Sequence, residues 1–274
     1  MNGLAPAFLS LLGVCFGAVA GSFLNVVIHR LPRLIESGDE RVTFARCVSG
    51  LAWPPSHCPR CEHRLRACDN IPILSYAMLR GRCRFCDQRY GLRYLAVEAL
   101  AAVVFAACLI VFGLTVKAFV AASFIAGLVA LCIIDIQEQL LPDALVAPLF
   151  CLGLAFHALY SGGLADAAMG AAAGYGVLWL IRQAYRLYAG IEGMGCGDLK
   201  LAAALGAWLG LAAMPAMLFI AFASGVALMA PMALCGRVEE HAPVPFGPFL
   251  ALGGLCVFVL PELANLAASL FFPT

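Results

Sequence analysis

Residues 193–200, Gly-Met-Gly-Cys-Gly-Asp-Leu-Lys, put a glycine-rich turn directly before an acid and a base, with long apolar segments on both sides. Glycine tolerates a left-handed backbone and lets another chain come close. An ionised Asp at the centre of a bilayer costs at least ~2.5–3.5 kcal/mol, so Asp198 is a functional candidate at a membrane boundary. On this stretch alone, a turn whose Asp caps the next helix explains the pattern equally well.

The composition around this stretch indicates an integral membrane protein. Of the 274 residues, 63% are hydrophobic and 12% are charged, with a mean hydropathy of +0.94. Soluble domains have about 45–50% apolar and about 25% charged residues. Nothing before Arg30 supplies the positive start of a signal peptide, so we expect the first apolar segment to remain as a helix. The apolar segments predict membrane spans at residues 4–28, 94–113, 116–136, 143–161, 164–188, 199–213, 214–235 and 247–271.

Basic residues concentrate in the one long polar loop. Of the 17 Lys and Arg residues, 12 lie between Arg30 and Arg93. The positive-inside rule assigns this loop to the cytoplasm. Asp135, near the end of the third span, and Asp198, at the start of the sixth, are then expected at the same cytoplasmic face.

The same loop holds two Cys-x-x-Cys pairs, Cys58/Cys61 and Cys83/Cys86, separated by 21 residues. Each pair can form a knuckle that offers two thiolates, and two knuckles complete a closed tetrahedral site, which is structural rather than catalytic. A disulfide pair or free thiols are the alternatives, and a reducing compartment disfavours disulfides. The pattern therefore favours a structural Zn²⁺.

These observations predict an all-α polytopic membrane protein of about eight transmembrane helices, with a small cytoplasmic zinc-ribbon-like domain between helices 1 and 2. The expected division is a first transmembrane helix at 1–28, a four-cysteine domain at 29–93 and a membrane core at 94–274.

Two carboxyl groups on one membrane face meet the requirement for aspartic proteolysis. Like charges close together cannot both ionise easily, so one carboxyl stays protonated. The ionised group takes a proton from water, and the protonated group polarises the scissile carbonyl. For Asp135 alone, a helix-end residue solvated by headgroups is the simpler interpretation, and only the pairing with Asp198 favours catalysis.

The chain resembles the bacterial type IV prepilin peptidases, which are membrane aspartyl proteases with a Gly-x-Gly-Asp motif. The resemblance covers nearly the whole chain and rests on a series of motifs. They are residues 21–32 (GSFLNVVIHRLP), the four cysteines, 69–76 (DNIPILSY), 93–98 (RYLAVE), Asp135 with 141–143 (LPD), 195–200 (GCGDLK) and 245–248 (PFGP). Gln137 departs from the pattern, because many members carry an acid there that is not one of their two catalytic aspartates.

The resemblance implies cleavage of class III signal peptides after a Gly, on the cytoplasmic side of the bacterial inner membrane. Substrates would be type IV prepilins or pseudopilins of type II secretion, with no role for nucleic acid. Many members then methylate the new N-terminal residue, usually Phe, with S-adenosylmethionine. The catalytic pair carries over to Asp135 and Asp198, whereas the residues for methyl transfer do not carry over.

Other polar and flexible positions are candidates to bind substrate or support the site. Ser22 and Asn25 could bond a neighbouring helix or a substrate backbone. Glu98 could face Arg93 or the site, or be a snorkelling residue of the interface. Lys200 could pair with Asp198 or simply follow the positive-inside rule. Gly195 and Gly197 leave room beside Asp198 for a peptide. At Pro245, Phe246, Gly247 and Pro248, unwound backbone could pair with an extended substrate.

Two other functions are compatible with parts of the pattern. A transporter could use the two aspartates as a proton relay, although the repeat-related halves typical of transporters are not visible. A non-enzymatic zinc-bearing assembly protein of a secretion system would not need the two acids. A His-Glu-x-x-His motif is absent from the sequence, which disfavours a metalloprotease.

Overall fold

The computed structural model describes residues 6–36, 47, 49–51, 53, 55–58, 60–160, 162–191, 193–235 and 244–263. Within these ranges the chain is almost entirely helical and contains no β-sheet, so the predicted all-α class is confirmed. The ends of the first and last predicted spans, residues 4–5 and 264–271, lie outside the described residues.

The helices follow the apolar segments of the sequence, and Pro32, Pro148 and Pro231 lie inside helices without ending them. In chain order they are α1 (Pro6–Glu36), α2 (Leu74–Met78), α3 (Leu92–Phe112), α4 (Val116–Glu138), α5 (Asp143–Tyr160), α6 (Leu164–Ala189), α7 (Cys196–Leu209), α8 (Met214–Leu234) and α9 (Gly247–Val259). A short 3₁₀ turn, Ala67–Asn70, precedes α2.

Six of these helices, α1, α3, α4, α5, α6 and α8, are long and apolar enough to cross a membrane. The helix α7 has 14 residues and α9 has 13, which is shorter than the ~20 residues that a typical hydrocarbon core requires. The structure therefore supports a multi-pass membrane protein, while the count of eight spans stays a prediction.

The chain forms two compact units, residues 1–130 and 131–274, with the division inside α4. In the first unit α1 and α3 run antiparallel along a stripe of small residues. A Cβ at Gly17 would overlap the backbone of α3 at Ala101 and Ala102, and a Cβ at Gly21 would lie 2.6 Å from the Cα of Glu98. These glycines let two membrane helices approach closely, as the four-residue spacing predicts.

In the second unit α6 and α7 make a similar close contact, at Gly170 and Gly206. Near the far end of α7, His157 bonds Asp166 at 2.7 Å and the carbonyl oxygen of Trp208 at 3.2 Å. This polar cluster ties α5, α6 and α7 together about ten residues from Asp198. These bonds indicate a structural role for His157.

The lobe between α1 and α3 contains two matching knuckles. Antiparallel bridges close them, one between His57 and Arg64 and the other between Arg82 and Arg89. Each knuckle repeats the same backbone bonds, from Cys58 N to the His63 carbonyl and from Cys83 N to the Gln88 carbonyl. This arrangement directs two cysteines of each knuckle to one point.

Candidate active site and metal centre

Asp135 lies in the last turn of α4 and is 5% exposed. Its Oδ2 atom accepts a hydrogen bond of 3.0 Å from the backbone N–H of Gly247, at the start of α9. A Cβ added at position 247 would lie 2.7 Å from the same oxygen. The carboxylate is therefore held by backbone that only a glycine leaves uncrowded.

Asp198 lies in the first turn of α7 and is 8% exposed. Its carboxyl is close enough to Asp135 for the two to interact electrostatically. Leu141 lies between Gly197 and Gly247. A Cβ at Gly197 would be 2.8 Å from Leu141 Cβ, and a Cβ at Gly247 would be 3.2 Å from Leu141 Cδ2. Leu141 was not among the candidate site residues, although the Leu-Pro-Asp motif that contains it pointed to this region.

The arrangement brings two buried carboxyl groups from different helices into one polar spot. A buried polar group is costly unless it is bonded, and a buried charge costs more. Asp135 has a backbone donor, and Gly195 offers a backbone donor to Asp198. The two carboxyls are therefore buried near each other, and their role as a catalytic pair stays a prediction.

Lys200 contacts Asp143 rather than Asp198. Its Nζ atom lies 2.7 Å from both carboxylate oxygens of Asp143, and both side chains are largely exposed. An exposed ion pair of this kind contributes little to stability, typically ~0–1 kcal/mol. A role for Lys200 in the site therefore stays a prediction, and it does not rest on a bond to Asp198.

The Pro-Phe-Gly-Pro stretch forms the entry into α9, and the expectation of unwound backbone is wrong for Gly247 and Pro248, which already belong to the helix. Phe246 is the residue before the helix and its ring packs against Phe222, with ring centroids 5.1 Å apart. Pro248 occupies the first turn, where the missing N–H costs nothing. Together with Pro245, these residues fix the position from which Gly247 donates to Asp135.

Ser22, Asn25 and Glu98 lie together in the first unit. The Asn25 amide donates to the carbonyl oxygen of Tyr94 at 3.0 Å, and the Glu98 carboxylate accepts the N–H of Ile73 at 2.7 Å. Ser22 and Asn25 also interact with the Glu98 carboxylate. These contacts join α1, α3 and the lobe, so a supporting structural role is the one that the geometry favours.

The four cysteines Cys58, Cys61, Cys83 and Cys86 form a cluster whose Sγ atoms all lie within 4.8 Å of one another. Across the two knuckles, the Sγ separations are 3.7 Å for Cys58–Cys86 and 4.0 Å for Cys61–Cys83. A tetrahedral site with metal–sulfur bonds of 2.3 Å has sulfur atoms about 3.8 Å apart. The cluster can therefore bind a metal ion.

A backbone donor favours the thiolate form of Cys83, which is the form that binds a cation. The Phe85 N–H lies 3.5 Å from Cys83 Sγ. It is the main cause of the lowered pKa of the Cys83 thiol, which is about 6. Next to the cluster, a bond of 2.6 Å from Arg84 lowers the pKa of the buried Asp69 carboxyl. A thiolate is the form of cysteine that ligates metal. With this pKa the Cys83 side chain is mostly a thiolate at neutral pH.

Comparison with known proteins connects both centres to one family. The model of the bacterial Peptidase A24 N-terminal domain matches residues 15–112, and the model of the type IV leader peptidase family matches residues 122–230. The chain belongs to the type IV leader peptidase family. The first match contains the four cysteines of the metal cluster, and the second contains both aspartates of the candidate site.

Relatives of this family match over nearly the full chain. A prepilin leader peptidase/N-methyltransferase of Burkholderia pseudomallei (strain 1026b) is 42% identical, over 100% of this chain and 87% of the relative. Proteins of the same name are 42% identical in Aeromonas hydrophila, over 92% and 91%, and 39% identical in Neisseria gonorrhoeae, over 93% and 91%. No solved structure matches the chain significantly. The family resemblance found in the sequence is confirmed.

Proposed function

We propose that this membrane protein cleaves the leader peptides of type IV prepilins or related pseudopilins and then methylates the new N-terminal amine. The observation that carries the proposal is the pair of buried carboxyl groups, Asp135 and Asp198, in the second unit. The names of the relatives, which combine a leader peptidase with an N-methyltransferase, support both activities.

In the proposed mechanism the two aspartates act on one water molecule. The ionised carboxylate removes a proton from the water, whose oxygen attacks the scissile carbonyl carbon. The protonated carboxyl donates a hydrogen bond to the carbonyl oxygen, where negative charge develops. The carboxyl that took the proton from water then gives it to the leaving amine as the C–N bond breaks, and no covalent enzyme intermediate forms. The Gly247 N–H supports this proposal because it orients the Asp135 carboxylate.

The metal of the four-cysteine cluster is proposed to be Zn²⁺, held by Cys58, Cys61, Cys83 and Cys86. Four thiolates in a closed tetrahedron are typical of structural zinc and leave no position for a substrate. The ion would supply folding energy to the lobe, and no reaction step passes through it. S-adenosylmethionine is the proposed methyl donor, on the basis of the relatives' names.

Mass spectrometry of a type IV prepilin co-expressed with this protein tests the proposal. We expect a pilin that has lost its leader, begins at the residue after the Gly and carries a methyl increment on its N-terminus. A pilin that keeps its full leader would contradict the peptidase. A cleaved pilin without the increment would contradict the methyltransferase alone.

The replacement Gly247→Ala is expected to slow cleavage. The new Cβ would lie 2.7 Å from Asp135 Oδ2, so the carboxylate must move. Displacing a catalytic group by ~1 Å can cost about 100-fold in rate, so we expect a loss of ~10–100-fold. The measurement is the initial rate of prepilin processing by purified enzyme in liposomes.

The matched control is Gly195→Ala, in the same site. Its Cβ would be 3.5 Å from Asp198 Oδ2, which is an ordinary contact, and its φ of −69° suits any residue. We expect this variant to keep most of its activity. Equal losses in the two variants would contradict the steric argument.

The proposed orientation puts the lobe and both aspartates at the cytoplasmic side of the inner membrane, because Lys and Arg concentrate in cytoplasmic loops. In a chain that keeps only its four ligand cysteines, Asp39→Cys should react with an impermeant maleimide only in opened spheroplasts. Leu114→Cys, in the short loop between α3 and α4, should react in intact ones. The reverse pattern would overturn the orientation.

A further inference from the structure

The segment from Ile71 to Met78 presents an apolar side to its surroundings. Ile71 is 44% exposed, Leu74 is 52% exposed and Met78 is 70% exposed. Leu74 and Met78, four residues apart, lie on one face of α2, and Ile71 precedes the helix by three residues. In a lobe surrounded only by water, this face would be an unexplained apolar patch.

The antiparallel packing of α1 on α3 gives the depth of nearby residues along the membrane helices. Gly21 faces Glu98, and Asn25 bonds the backbone of Tyr94. In this register Leu92, the first residue of α3, is level with Val27, and Arg30 lies three residues, about 4.5 Å, further along α1. The charged residues at the ends of the two helices, Arg30 and Arg93, lie close to this level, and such side chains mark the membrane boundary.

Ile73 is bonded to a residue of α3 that lies deeper than this boundary. Its N–H bonds Glu98 Oε2 at 2.7 Å. Glu98 is six positions beyond Leu92, which is about 9 Å along the helix axis. Ile73 also has a φ of +61°, an unusual conformation for a β-branched residue, which the bond to Glu98 helps to hold. The segment is therefore drawn down beside α3.

The backbone of the segment is suited to an apolar environment, where each N–H must find a partner within the protein. Ser75 N bonds the Ile71 carbonyl, Ala77 N bonds the Ile73 carbonyl and Leu79 N bonds the Ser75 carbonyl, all at 2.9–3.0 Å. Pro72 has no N–H, and the donor of Ile73 is used by Glu98.

We propose that residues 71–78 form an interfacial anchor that inserts Ile71, Leu74 and Met78 into the lipid bilayer beside α3. Leu92, the first residue of α3, is a further exposed apolar side chain at the start of that helix, at 72%. The lobe is thus fixed to the bilayer by its own surface and not only by the two helices that flank it. This inference concerns the first unit alone and does not depend on the proposed function.

Site-specific photocrosslinking in native membranes tests the anchor. The probe is benzoylphenylalanine, introduced at Leu74 or Met78 of the full chain. The control position is Glu62, an exposed residue on a knuckle of the same lobe. We expect phospholipid adducts, identified by mass spectrometry, at positions 74 and 78 in about tenfold excess over position 62, as for side chains buried in the lipid interface.

Two outcomes would overturn the proposal. Lipid adducts no more frequent at 74 and 78 than at 62 would mean that the face lies in water. Adducts to a pilin or to another protein in place of lipid would mean that the face is a protein-binding surface. Both exposed positions tolerate a bulky aromatic side chain, and recovery of the full-length variant from the membrane fraction shows that it has inserted.

Discussion

Asparagine in place of either Asp135 or Asp198 is expected to abolish leader-peptide cleavage while the protein still inserts into the membrane and binds metal. The substitution keeps the size of the side chain and leaves an oxygen that can accept the Gly247 N–H. It removes the ionisable group, so neither proton transfer from water nor proton sharing remains possible. General acid–base catalysis alone contributes ~10²–10⁴ in rate, and we expect at least that loss.

The measurement is the rate of prepilin processing in liposomes for matched preparations. Asp143→Asn is the control, because the Asp143 carboxylate pairs with the exposed Lys200. This variant should keep most of its activity. The double variant should be little worse than either single one, since the two carboxyls act as a unit. Near-normal processing by one single variant would remove that residue from the mechanism. Full activity in both would mean that groups other than Asp135 and Asp198 carry out the cleavage.

The replacement Cys83→Ser is expected to release the metal and unfold the lobe. Cys83 is 3% exposed and its sulfur is within reach of the other three ligands. Structural zinc contributes ~10–16 kcal/mol to the folding of small zinc-finger domains, so a lobe with three ligands should not hold its fold. Metal content per chain and the rate of limited proteolysis within residues 55–91 report the two effects.

The control for this variant is Cys68→Ser. Cys68 is an exposed thiol of the same lobe that lies outside both knuckles. It should keep a stoichiometry near one metal ion per chain and the proteolysis rate of the unmodified protein. A metal content near zero in the unmodified protein, together with an intact lobe, would rule out the structural zinc.

The local features of the two centres could be read from the sequence because they depend on neighbouring residues. The helices follow uninterrupted apolar runs, and a bilayer leaves helices as the main way to satisfy their backbone groups. The two Cys-x-x-Cys pairs required knuckles, because two thiolates can face one ion only across a tight turn. Asp135 and Asp198 were found from their positions at the ends of apolar segments.

The contacts that the sequence could not give join residues far apart in the chain. The donor to Asp135 is a backbone N–H 112 positions away, and a backbone group leaves no signature in the residue type. The partner of Lys200 depended on which of several nearby acids its flexible side chain reaches. Likewise, Glu98 had an apparent partner in Arg93, yet its carboxylate bonds the backbone of a strained turn.

The shortness of α7 was visible in advance, although its limits shifted. The predicted span of 199–213 became Cys196–Leu209, because the helix begins before Asp198 and ends at Gly210, whose φ is +77°. An earlier start moves Asp198 from the boundary of the helix into its first turn. The side chain then has a fixed direction, which a residue in a loop would lack.

The hydrogen bond from Gly247 to Asp135 also determines how mutations can act on the site during evolution. Its donor belongs to the main chain, so every codon change at position 247 except one to proline keeps the donor. Such changes act on the bond through the new side chain, whose atoms lie beside the carboxylate. Selection at this position therefore acts on the size of the side chain. A relative with a larger residue there could restore the site by replacing Leu141, which also lies beside that glycine, with a smaller residue.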